Sequence, residues 1–161
     1  MREATRHARQ IEPMSAHAAS SQHASQHSSP GAAKLWGVAV GLVQAATPLV
    51  FWWVNTSTVY AIGTVGIAFI YIGFAVADGR PKVIAVESGV ATAFVILAAV
   101  AITRSPWLLV TALAGHGLKD LWQHRTHFVA NTRWWPPFCM AVDFVVAAII
   151  VIEIAAGLNF H

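Results

Sequence analysis

Charge is scarce in this sequence. Only 11% of its 161 residues are Asp, Glu, Lys or Arg, against about 25% in an ordinary soluble domain. With 57% hydrophobic residues, a water-soluble fold of this size would lack polar surface, whereas a bilayer solvates an apolar exterior. There is one cysteine, Cys139, which excludes an intrachain disulfide. His-Glu-x-x-His, the P-loop pattern and Cys-x-x-Cys are all missing, which sets aside the chemistries those motifs carry. The histidines are too few for the several boxes that membrane desaturases and hydroxylases use. The formal charge of +3 is spread along the chain beside apolar runs, a membrane-flank pattern with no nucleic-acid patch.

Residues 1–33 lack any apolar run and are rich in Ser, Ala, Gln and His. Such a segment cannot bury enough surface to offset its ordering entropy, so it is expected to be a disordered cytoplasmic tail. It has no apolar core of a secretory signal. Its Arg and Ser content suits a transit peptide, but Glu3 and Glu12 argue against one. His7, His17, His23 and His27 are read as solvated side chains with at most weak metal affinity.

Residues 34–161 are expected to form one all-α bundle, a polytopic membrane fold of about five transmembrane helices. The spans fall near residues 35–54, 59–77, 83–102, 106–127 and 136–158. Each approaches or exceeds the ~20 residues that cross ~30 Å of hydrocarbon. Between them lie turn residues: Asn55 to Ser57, Asp78 to Pro81, Arg104 to Pro106, and Asn131 to Pro137. Short breaks impose antiparallel neighbours. With alternating spans, nine of the ten basic residues fall on the side of the N-terminus and only Arg104 on the other. That bias predicts N-in/C-out in a cell (inner or plasma) membrane. Trp36, Trp122, Trp134 and Trp135 near one interface and Trp52, Trp53 and Trp107 near the other match an aromatic belt. Gly37 and Gly41, four apart, permit close helix contact.

Ionisable groups inside a span cost at least ~2.5 kcal/mol each on insertion scales, and they mark function by default. In the fourth span His116, Asp120, His124 and His127 recur at steps of four, four and three, sharing one helix face with Lys119 and Gln123 flanking it. In the fifth, Cys139 and Asp143 are four apart. Glu87 of the third span falls at a similar depth, and Gln44 of the first somewhat deeper. Counting rise per residue puts Asp120 and Asp143 about 10 Å into the inner half of the bilayer.

Three classes of function fit. In the leading one, Asp120, His124, Asp143 and His116 ligate a transition metal such as Zn, Fe or Mn. Glu87, Cys139, Lys119 and Gln123 would then be surrounding or acid/base groups. Such a site would bind or act on a hydrophobic small molecule or lipid. Whether that makes the chain an enzyme stays open. The runner-up is a non-catalytic accessory subunit of a larger membrane complex, and the third is a proton- or ion-coupled transporter. Beside these stands a purely structural reading, in which Lys119 and Arg133 pair with Asp120 and Asp143. Arg125 and His127 near the interface are read as solvated or lipid-facing, Glu153 as reaching water, and Cys139 alone as a small core residue. The expected partners are the bilayer, a hydrophobic ligand, and a homo-oligomer or larger complex, with no nucleic acid.

The stretch His116, Asp120, Gln123, His124, followed by Arg133-Trp134-Trp135-Pro136-Pro137-Phe138-Cys139 and Asp143, resembles small bacterial membrane proteins of uncharacterised function. These carry His-x3-Asp-x2-(His/Gln)-His and then Arg-Trp-x-Pro-Phe-Cys-x3-Asp. The chain departs from that pattern where Gln123 stands in place of a histidine and where a second Trp and Pro are present. The resemblance implies a shared site and no particular activity.

Overall fold

The computed structural model describes residues 30–130, 132–158 and 160. Residues 1–29, which hold most of the expected tail and its four histidines, lie outside the described residues. Six helices, all α, follow: α1 (Pro30–Ala45), α2 (Thr47–Val50), α3 (Thr56–Asp78), α4 (Pro81–Thr103), α5 (Trp107–Thr126) and α6 (Trp135–Ala155). No strand occurs among the described residues.

Among the described residues, four segments are long and apolar enough to cross a membrane: Pro30–Val50, α3, α4 and α6. Helix α5 has 20 residues but carries the His/Lys/Asp/Gln stripe, so composition alone does not make it a span. It is held in the bundle by what that stripe meets.

Helix α1 begins at Pro30, four residues before the expected boundary. Proline suits a first helical turn because its missing N–H would have no partner there. Ala33, within the expected tail, is fully buried. The first apolar run is also interrupted. Pro48 has no N–H for the Gln44 carbonyl, which instead accepts from Thr47 Oγ1 at 2.6 Å. The chain then turns through Phe51 to Val54. Asn55 caps α3 by accepting from the Thr58 N–H at 3.1 Å. Gly79, in the left-handed region with φ 78°, ends α3, and Pro81 starts α4.

Packing is uneven. Helix α1 lies along α6, α6 along α5, and α3 along α4, while α5 joins the two pairs. The α1–α6 seam depends on small residues. A Cβ at Gly37 would run into the Phe138 carbonyl and the Ala141 side chain, and one at Gly41 would press on Val145. The largest core cluster runs through the bundle from Tyr60 and Ile67 to Leu109, Leu113, Val146 and Ile150. At the end bearing the α3–α4 and α5–α6 turns, Asp78 accepts from Arg80 Nε at 2.6 Å and from the Ala130 N–H at 2.7 Å. Arg80 also donates to the Phe128 carbonyl at 2.6 Å. The pairing with Asp78 raises the Arg80 guanidinium above its usual value, keeping it charged. These bonds staple the two turns together. At the opposite end Tyr60 Oη lies 2.9 Å from the Ala45 carbonyl and 3.0 Å from Glu153 Oε2, so Glu153 reaches a buried tyrosine rather than water alone.

Candidate metal centre

The polar stripe of α5 turns inward and divides between two neighbours. At about 100° per residue, Lys119 and Gln123 lie to one side of His116 and Asp120 to the other. On the first side they meet α4. Lys119 Nζ is 2.6 Å from Glu87 Oε2, and Gln123 Nε2 donates to Glu87 Oε1 at 2.5 Å. The Lys119 ammonium also sits 3.5 Å from the centroid of the Tyr71 ring, a cation–π contact. On the second side Asp120 faces α6, where Cys139 and Asp143, one turn apart, point back.

His116 stands between these groups. Its Nδ1 is 2.8 Å from Asp143 Oδ2 and 3.7 Å from Asp120 Oδ2. Tyr71 and Phe94 approach the imidazole edge-on, with centroids 5.2 and 5.0 Å away. In the tautomer with its proton on Nε2, the imidazole turns the Nδ1 lone pair towards both carboxylates, where it can serve as a ligand beside them.

His116, Asp120, Cys139 and Asp143 thus converge. One ligand atom from each lies within 4.8 Å of every other, and all four residues are buried. Asp120 and Asp143 have no exposed surface. Both oxygens of Asp120 and Oδ1 of Asp143 make no hydrogen bond of good geometry within the protein, although Tyr71 Oη and Cys139 Sγ stand within interacting reach of Asp120. A buried carboxylate oxygen without a donor is costly. Lys119, the nearest cation, is committed to Glu87. Burial disfavours two adjacent carboxylates in their charged form, so both Asp120 and Asp143 can be ionised here only with a cation between them. A divalent cation would supply that compensation. A buried His/Asp/Cys/Asp group of this kind could hold a metal ion.

Three of the four expected ligands, His116, Asp120 and Asp143, are brought together, with Cys139 as the fourth member. His124 is not among them. Two helical steps of four from His116 accumulate a drift of about 80°, so His124 is half-buried at the flank while Gln123 faces inward. His127 leaves the helix altogether. It caps α5 in the left-handed conformation, φ 52°. Glu87, Lys119 and Gln123 form a separate network beside the four donors. The sequence alone gives no role to Tyr71, whose ring contacts His116 and Lys119 and whose buried Oη faces Asp120. A tyrosine is ordinary in an apolar span, so only the fold reveals it.

Comparison with protein-family models, with curated proteins and with solved structures finds no match for this chain.

Proposed function

We propose that this chain is a multi-pass cell-membrane protein in which His116, Asp120, Cys139 and Asp143 bind one divalent transition-metal ion. The observation that carries this reading is the convergence of four buried donors whose ligand atoms all lie within 4.8 Å of one another. Tetrahedral zinc with bonds of about 2.0–2.3 Å sets its ligands about 3.3–3.8 Å apart, so a contraction of roughly an ångström from the observed spread suffices. Imidazole, carboxylate and thiol together suit zinc best. Iron and manganese follow, because the carboxylates favour them and the sulfur does not.

The site sits among apolar helices, so the molecule it would bind or act on is hydrophobic, a lipid or a lipid-soluble small molecule. A second reading makes the chain an accessory subunit of a larger membrane complex, with the metal as a clamp between α5 and α6. It is favoured by the closed set of four protein ligands, which is characteristic of structural rather than catalytic zinc.

Elemental analysis of the purified full-length protein tests the site. The expected result is about one zinc, iron or manganese per chain that the Asp120→Asn/Asp143→Asn variant loses, both proteins keeping the same tail histidines. Equal metal in the two proteins, or none in either after supplementation, would overturn it.

A further inference from the structure

Helix α3 supplies none of the four donors, yet it sends one polar group to them. Thr64, Ala68, Tyr71 and Ala75 recur at steps of four, three and four and are buried, so they share the inward face of the helix. Tyr71 is the large residue of that row and is 1% exposed. Three contacts hold its ring. The Lys119 ammonium lies 3.5 Å from the centroid, His116 meets the ring edge-on at 5.2 Å, and Phe74 does so at 6.1 Å. With the ring held, Oη faces the Asp120 carboxylate, and Cys139 and Asp143 lie within its electrostatic reach.

Asp120 has two oxygens to satisfy. Neither completes a hydrogen bond of good geometry within the protein, and leaving a buried acceptor so is costly. Two donors face the carboxylate, the Tyr71 hydroxyl and the Cys139 thiol. Cys139 would ligate a metal as the thiolate, which has no hydrogen to give. Lys119 is committed to Glu87. When a metal takes one Asp120 oxygen, Tyr71 is therefore the donor left for the other.

We propose that Tyr71 is a positioning residue of the metal centre, its hydroxyl donating to the Asp120 oxygen that the metal does not take, so that Asp120 binds through a single oxygen. The phenol does not touch the metal. It acts through Asp120, as the outer hydrogen-bond partners of metal ligands do. One consequence concerns the choice of ion. A carboxylate held to one oxygen keeps the ligand count low, which suits tetrahedral zinc. Manganese favours an octahedral set of oxygens, and a carboxylate free to offer both would serve it better. Tyr71 thus biases the centre towards zinc. The proposal rests on the metal-site reading and adds to it the residue that sets how Asp120 binds.

The test compares the full-length protein with Tyr71→Phe, which keeps the ring and its three contacts and removes only the hydroxyl. Zinc affinity, measured against a competing chelator, should fall about 10–100-fold, the usual effect of losing such a partner, while manganese affinity is unchanged or rises. Cobalt(II) in place of zinc reports the geometry. The wild type should show the intense visible bands of four-coordinate cobalt, and the variant the weaker bands of a higher coordination number. Both should keep the thiolate-to-cobalt band, which Cys139 as the one cysteine assigns to this centre rather than to the tail histidines. Wild-type zinc affinity in the variant, or equal losses for zinc and manganese with unchanged cobalt bands, would overturn the role of Tyr71 and leave the metal site standing. Tyrosine absorbance of the wild type gives a check that needs no substitution. It should remain that of neutral phenol when zinc is added, and a tyrosinate signal would make Tyr71 a ligand and overturn the donor role. A wild-type protein with no thiolate-to-cobalt band would overturn this proposal together with the four-donor site.

Discussion

Lys119 and Glu87 show how single residues are balanced in this protein. The pair is nearly removed from solvent and closed at 2.6 Å, with Gln123 completing the carboxylate. Removing one partner of a buried pair strands the other charge, which costs about 3–5 kcal/mol. Lys119→Met should therefore lower the unfolding free energy by that order. Lys119→Met/Glu87→Gln should recover most of it, because the amide introduced by the second substitution is neutral and its oxygen still accepts from Gln123. Thermal unfolding in detergent, run as a double-mutant cycle, measures the difference. A fully additive loss would show that the two charges do not compensate each other. The same scale explains which site residues were legible. His116, Asp120 and Asp143 stood out because an ionisable group inside an apolar run needs a partner wherever the helix faces. The choice between Gln123 and His124 was not legible, because they differ by one helical step and only the position of α4 selects between them.

At the scale of the element, glycine spacing separates two kinds of helix contact. Gly37 lies where any side chain would strike the backbone of α6, whereas a Cβ at Gly66 meets nothing within 4 Å. Gly37→Ala should destabilise the protein by about 1–3 kcal/mol as the α1–α6 seam is forced apart. Gly66→Ala should be neutral or stabilising by up to about 1 kcal/mol, as expected for alanine in a helix interior. Melting temperatures of the two variants check this, and equal losses would mean that the seam is not close-packed. Helix α5 illustrates the limit of reading elements singly. Its periodicity was visible in the sequence, as were its ends near Pro106 and His127. The residues that make it too polar to qualify as a span by composition are those that bind Glu87 and converge with Asp143. Its place depends on α4 and α6 being present to receive them.

For the whole molecule, the decisive quantity is the number of crossings. If α5 crosses with the other four, the ends of the chain lie on opposite sides, and the basic residues sort as nine against one. Reporter fusions check this arrangement. An alkaline phosphatase domain should be active after Ser105 and after Leu158, and inactive after Arg80. Activity after Ser105 with none after Leu158 would mean that α5 does not cross, and would place the metal centre at the membrane surface.

Composition and periodicity were sufficient for the all-α bundle, for the turns at Asn55, Gly79 and Pro106, and for Asp120 and Asp143 as groups that demand compensation. The energetic cause is local: apolar length decides where a chain leaves water, and charge within it must be answered. The break at Pro48 and the start of α1 at Pro30 also have local causes, proline's missing N–H, though the hydrophobic run concealed them. Tertiary structure alone decided which groups answer which charge. The 2.8 Å contact between His116 and Asp143 and the assignment of Lys119 to Glu87 depend on the relative rotation of α4, α5 and α6. So does the inclusion of Cys139. Rotation about a helix axis leaves the sequence pattern unchanged, and it is set by how three surfaces pack together.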